Sequence, residues 1–280
     1  MPEGHTLHRL ARDLRRDLKG STVHAASPQG RFADGAAQLD GRVVTGTEAY
    51  GKHLFLAWDS GLLLYVHLGL IGKFRRKPAP LPDPQGEIRL RLATDDVAWD
   101  LSGPMTCTID TPAIRTRLLA KAGPDPLRRD AEPDRFVTGL ARRSSPLAVA
   151  LLDQSLVSGI GNVYRAEICF LAGIHPLVPA REVSSEDAKV LWVLSVDLLT
   201  IGLRLNRIVT RDPQEVGLRS PSRISDDERL YVYKRDGEPC RRCHTTIVWA
   251  DVGGRRVWWC PRCQPQSARR PSPRRQPVLT

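Results

Sequence analysis

VVTGTEAYGKHLFLAWDSGLLLYVHLGLIGKF, residues 43–74, decides the fold. Its apolar residues come in short runs broken by glycine and polar turns, the texture of strands rather than of a long helix. Asp59-Ser60-Gly61 reads as a hairpin turn, and at least three strands fit the stretch. Downstream, EIRLRLATDDVAWDLS (87–102) adds two more around Asp95-Asp96. Upstream, Leu7, Leu10, Ala11, Leu14 and Leu18 fall at helical spacing, so residues 4–18 are predicted to form one amphipathic helix, stopped by Gly20. One helix followed by about eight strands, without βαβ alternation, makes a sandwich or flattened barrel.

After Thr111-Pro112 the texture turns helical. GPDPLRRDAEPD (123–134) reads as a hinge. Ser145-Pro146 is predicted to open a short helix through Leu152, with further helices from near Gly161 to Leu171 and from Ser184 to Leu205. The fold class is therefore multidomain α+β. An N-terminal helix and eight-stranded sandwich fill 1–122, a helical domain 123–234, and a cysteine module 235–264. A disordered tail is expected at 265–280, where basic QPQSARRPSPRRQPVLT (264–280) carries no acid.

CRRC at 240–243 and CPRC at 260–263 frame sixteen residues that alternate about Gly253-Gly254, as a β-hairpin would. Cys240, Cys243, Cys260 and Cys263 have the spacing of a closed tetrahedral site for one structural Zn²⁺; an iron–sulfur centre is the lesser reading. Cys107 and Cys169 stand alone in apolar context and read as core. The formal net charge of +11 favours a polyanionic partner. No apolar run is long enough to cross a membrane, and the start MPEGHTLHRL is no signal peptide. With two CxxC pairs instead of a disulfide framework, a reducing, cytoplasmic setting is expected.

MPEG at the start, Gly51-Lys52, HLG at 67–69, DQSLVSGIGNVYRAE at 153–167 and the Cys₄ hairpin occur in one order. Together they resemble the Fpg/Nei family of bifunctional DNA glycosylases, and within it the actinobacterial endonuclease VIII-like branch. The resemblance covers residues 1–265 and identifies 153–167 with the family's helix–two-turn–helix element. It implies a protein that excises oxidised bases from duplex DNA in base excision repair and nicks the abasic strand by β- then δ-elimination. The duplex would lie in a cleft between a catalytic β-sandwich domain and the helical domain. By resemblance Pro2 is the Schiff-base nucleophile, Glu3 the proton donor, Lys52 the β-elimination lysine and Arg255 the arginine of the second elimination. Asn162, Lys121 and His67 are implied in DNA or phosphate contacts, and Leu70 in filling the space left by the flipped base. A monomer is expected.

The chemistry of the residues agrees. An amine attacking C1′ yields an iminium that acidifies C2′ and permits strand scission. An α-amino group titrates near 7.7–8.0, well below lysine, so it is the amine more readily available unprotonated. A helix N-terminus favours the neutral form further.

The chain also departs from the pattern. His5-Thr6 replaces a common Pro-Glu pair, and Leu70 stands where 8-oxoguanine-directed enzymes carry Met. Residues 207–227 lack the glycine-and-hydroxyl stretch of the purine-capping loop. These differences favour oxidised pyrimidines over the alternative, a formamidopyrimidine/8-oxoguanine glycosylase of the same fold. A non-catalytic zinc-finger DNA-binding protein would not need Pro2, Glu3 and Lys52. An RNA-associated basic zinc protein would leave the MPEG start unused.

Overall fold

The computed structural model describes residues 2–266, so Met1 and all but the start of the expected tail lie outside the described residues. The chain divides into two compact units, one to residue 121 and one from residue 122.

The first unit opens with helix α1 (Gly4–Leu18), whose Leu7, Leu14 and Leu18 are at most 1% exposed. Full burial of each such side chain stabilises by about 1.5–3 kcal/mol. Gly20, at φ +84°, lets the chain turn out of the helix into the first strand. The strands are β1 (Thr22–Ala26), β2 (Arg42–Tyr50), β3 (His53–Trp58), β4 (Leu63–His67), β5 (Lys73–Pro78), β6 (Ile88–Ala93), β7 (Val97–Ser102) and β8 (Thr106–Asp110). They are ordered β5-β7-β6-β1-β2-β3-β4-β8, every neighbouring pair antiparallel. β1 meets β2 only at Thr22↔Val43 and Val23↔Arg42, which divides the sheet into two four-stranded halves.

Leu90, Leu92, Trp99 and Leu101 from one half join Leu54, Leu56, Leu64 and Val66 from the other, together with the apolar face of α1, in a single core. This is the expected sandwich interior. The alternate residues of β3 and β4, Phe55 and Tyr65, pack on the opposite face with Ile114 of α3 (Ala113–Leu119). Period-two alternation thus gives the second half two packed faces. One element was not expected. A short helix α2 (Ala33–Leu39) lies between β1 and β2, too brief for its periodicity to show in the sequence.

In the second unit, α4 (Pro133–Leu140), α6 (Asn162–Leu171) and α7 (Ser185–Leu205) contribute to one core that includes Phe136, Tyr164, Ile168, Leu191 and Leu198. Ser184 caps α7 by accepting the Asp187 N–H at 3.1 Å. The helix expected from Pro146 to Leu152 is only α5 (Leu147–Ala150). Pro146 is extended (ψ 143°), and the N–H groups of Leu152 and Asp153 bond three residues back, tightening the exit into a turn. Nor does the presumed hinge begin as an open linker. Gly123, Pro124 and Asp125 are buried, and Ser158 Oγ donates to the Gly123 carbonyl at 2.9 Å. A Cβ on Gly123 would meet the Leu156 carbonyl carbon at 2.3 Å, so this approach requires glycine.

The chain then forms a hairpin of β9 (Val248–Val252) and β10 (Arg255–Trp259), turned by Gly253 and Gly254 at φ +60° and +73°. Two positive-φ residues make the tight turn that matches strand twist. Val257 and Trp258 enter a core with Cys240, Cys260, Phe170 and Tyr231.

Candidate active site

Pro2 lies half-buried just before α1, and Glu3 occupies the position that precedes the first helical residue. Glu3 is fully buried, yet its side chain makes no capping bond to the helix. α1 packs on β2 and β3, the strands joined by the turn Gly51-Lys52.

Lys52 belongs to a polar group on the outer face of β3 and β4. His53 and His67 pair across the strands with ring centroids 5.6 Å apart, and His53 Nδ1 lies 2.9 Å from the Tyr65 hydroxyl. Burial foremost, then His67 and the Lys52 ammonium, pushes His53 down to about 4. Burial and Lys52 likewise lower His67. The structure therefore brings Lys52 and His67 into one neighbourhood. His67 Nδ1 accepts the Gly69 N–H at 3.1 Å, so in the neutral ring Nε2 carries the proton and can donate it to an anionic oxygen.

Leu70 is 62% exposed in the turn after β4. Beside it the structure adds two apolar side chains not singled out from sequence, Ile71 and Met105, both exposed. Met105 is drawn in by its N–H bond to the His67 carbonyl (2.9 Å) and by the bare Cα of Gly69, where a Cβ would lie 2.8 Å from Met105 Cβ. Met105 sits in SGPMT, which reads as an ordinary turn. Lys121 is exposed beyond the end of α3.

The other expected residues belong to the second unit. Asn162 is the first residue of α6, preceded by Gly161 as the cap; it is 8% exposed, and its Oδ1 has no hydrogen-bond partner among the described residues. A helix N-terminus suits a phosphate contact, in which the Asn162 side-chain amide N–H group, not Oδ1, would be the donor. Arg255 opens β10 and is exposed. What lies beneath it was not foreseen from sequence. Arg165 of α6 is fully buried and donates to the carbonyls of Ala148 (3.0 Å), Arg256 (2.8 Å) and Arg255 (3.3 Å). Two residues on, the Glu167 carboxylate accepts the Thr210 hydroxyl and the N–H groups of Tyr231, Val232 and Tyr233.

The four cysteine sulfurs lie within 4.8 Å of one another, with Cys240–Cys263 at 3.8 Å and Cys243 at 3.4 Å from both Cys260 and Cys263. Tetrahedral Zn–S bonds of about 2.3 Å require sulfurs about 3.8 Å apart. The donor set fits a metal ion. The Cys263 hydrogen bond draws the Cys240 thiol down to about 4, while Cys263 itself is pushed up. Cys169 is buried and Cys107 packs against the sandwich core, both as expected.

Residues 1–106 match the formamidopyrimidine-DNA glycosylase N-terminal domain, and residues 122–214 match the formamidopyrimidine-DNA glycosylase H2TH domain. Endonuclease 8 1 of Mycobacterium tuberculosis is 43% identical over 270 residues, covering 94% of this chain and 100% of that protein. The chain belongs to the Fpg/Nei family. The formamidopyrimidine-DNA glycosylase of Acidothermus cellulolyticus is 31% identical over 95% of this chain and 98% of its own length. Among solved structures, Lactococcus lactis Fpg in complex with N7-benzyl-Fapy-dG containing DNA shares the family fold, with a TM-score of 0.79 at 24% identity over 94% of this chain and 100% of that one.

Proposed function

We propose that this Fpg/Nei member removes oxidised bases, pyrimidines foremost, with Pro2 as nucleophile and Glu3 as proton donor, and cuts the strand by β- and then δ-elimination. Family membership makes it a bifunctional DNA glycosylase/AP lyase acting on damaged bases in duplex DNA. The observation that carries the assignment of the centre is Glu3. It is a fully buried acid next to a secondary amine, at the start of α1.

Once Met1 is removed, the Pro2 nitrogen attacks C1′ and the base departs; the sugar ring then opens, the C1′–O4′ bond breaking as O4′ takes a proton, and leaves the cationic iminium that a secondary amine forms. Glu3 moves protons at the sugar and the departing base. Loss of the C2′ proton expels the 3′ phosphate; Lys52 and the neutral Nε2–H of His67 stabilise charge on the phosphate oxygens. Arg255 assists the second elimination. Asn162 and Lys121 hold the backbone, while Leu70, together with Ile71 and Met105, fills the space left by the flipped nucleotide.

Cys240, Cys243, Cys260 and Cys263 would hold one Zn²⁺. Bound there, it neutralises four crowded thiolates and cross-links the base of the hairpin, leaving no open position for substrate. The protein acts as a monomer at the DNA in the bacterial cytoplasm. The quoted relatives are bacterial, and among the described residues no helix is long and apolar enough to cross a membrane.

The pyrimidine preference rests on Leu70, on the makeup of 207–227, and on greater identity to endonuclease 8 1 than to the quoted formamidopyrimidine-DNA glycosylase. Borohydride trapping on abasic duplex DNA tests the reading. A covalent protein–DNA adduct is expected, and its absence from a folded, metal-loaded protein would refute the lyase mechanism.

A further inference from the structure

Arg165 is the largest fully buried side chain of the described residues, and its role as an α6 residue is not explained by the reaction chemistry. Burying a guanidinium costs free energy unless its N–H groups meet acceptors held in place. Here its two terminal amino groups meet three backbone carbonyls on two other elements. Nη1 donates to Ala148 of α5, and Nη2 donates to Arg256 at 2.8 Å and Arg255 at 3.3 Å at the start of β10. The hairpin turn packs on α5 as well. A Cβ on Gly253 would stand 3.0 Å from Val149 Cγ2. Arg165 therefore pins the backbone of the residue whose exposed side chain is assigned to the second elimination. It does so from the helix that begins with Asn162.

We infer that Arg165 is a positioning residue for Arg255, fixing the hairpin backbone so that the Arg255 guanidinium starts from one place relative to the phosphate-binding end of α6. The inference rests on the proposed role of Arg255. It follows from the geometry of the fork. A planar guanidinium bonded to carbonyls on two elements sets both distance and angle, whereas a lysine ammonium has one donor head and sets neither as firmly. Displacement of a catalytic group by about 1 Å costs up to about 10²-fold in rate. Arg165 touches no substrate in this scheme and acts only through the position of Arg255.

The experiment compares Arg165→Met, Arg165→Lys, Arg255→Ala and the Arg165→Met/Arg255→Ala double variant, each as full-length protein with its zinc content measured. Single-turnover cleavage of a preformed abasic duplex, resolved into β- and δ-products, is the readout, alongside affinity for a duplex carrying a tetrahydrofuran site. Arg165→Met is expected to slow δ-product formation by about tenfold or more with affinity changed less than twofold, Arg165→Lys to recover part of the loss, and the double variant to be no slower than Arg255→Ala. Wild-type δ-elimination in Arg165→Met would overturn the inference. So would a double variant that multiplies the two single losses, since Arg165 would then act independently of Arg255. A fully active Arg255→Ala protein would instead overturn the Arg255 assignment. Should Arg165→Met not fold, the Lys variant carries the same comparison in both backgrounds.

Discussion

Pro2 can act only as a free amine. With Met1 attached, its nitrogen is an amide with no lone pair to attack C1′. Mass spectrometry of the borohydride-reduced adduct should therefore place the DNA on Pro2 of a chain lacking Met1, and a protein with an uncleaved N-terminal extension should not trap. An adduct on Lys52 would transfer the nucleophile's role to that lysine. Glu3→Gln should lose base excision by about 10²-fold or more while retaining much of its cleavage of a preformed abasic site, because a positioned general acid contributes about 10²–10⁴-fold to the step that needs it. Equal losses on both substrates would remove the proton-donor assignment. The place of these two residues ahead of a buried helix was legible because the signal is local: MPEG, then apolar residues at helical spacing. Arg165 was not legible. Its partners Arg255 and Arg256 lie some ninety positions away, and nothing in NVYRAE says which helix face meets the hairpin. Met105 was hidden for a similar reason, since only the fold brings the β7–β8 turn to Gly69.

At the level of elements, long amphipathic or alternating segments announced themselves, and short ones did not. α1 and α7 span several turns, so their buried stripes repeat often enough to be read; α2, with seven residues, repeats less than twice. α5 shrank to four because the exit from Pro146 is decided by turn bonds that no side-chain pattern encodes. The cysteine module is the opposite case, where four residues at fixed spacing define an entire element. Its sulfurs lie close enough that four thiolates would repel strongly without a cation. Cys260→Ser should leave the first unit's circular dichroism and the helical signal of α6 and α7 largely intact, because those cores are built from other residues. The variant should bind less zinc and lose about tenfold or more in strand nicking, because the Arg255 backbone would no longer be held. Full nicking by a zinc-free variant would show that the hairpin needs no metal to present Arg255.

For the whole molecule, pH and lesion choice are the informative variables. His5 and His53 are each depressed from 6.5 to about 4, mainly by burial. Between those values the unfolded chain binds protons that the folded chain refuses, so stability is fully present above about pH 6.5 and is lost as pH falls toward 4. Each histidine contributes a slope of up to about 1.4 kcal/mol per pH unit inside that window. His53→Gln should flatten the pH dependence of the denaturation midpoint there; an unchanged slope would mean the ring protonates without cost in the folded state. Lesion choice depends on how flipping is compensated. Extruding a base costs a few kcal/mol, least when the base is damaged or poorly paired. Leu70, Ile71 and Met105 offer exposed apolar surface to fill the gap, but such a wedge does not distinguish a purine from a pyrimidine in the pocket. Discrimination must come from what covers the flipped base, and RIVTRDPQEVGLRSPSRISDD (207–227) lacks the glycine-and-hydroxyl stretch that the resemblance leads one to expect of a cap on 8-oxoguanine. Thymine glycol and dihydrouracil should therefore be excised faster than 8-oxoguanine opposite cytosine in single-turnover assays on otherwise identical duplexes. A tenfold advantage for 8-oxoguanine would reverse the assignment, and it would mean that this segment, or another loop, closes over the purine without the glycine-and-hydroxyl pattern expected of it.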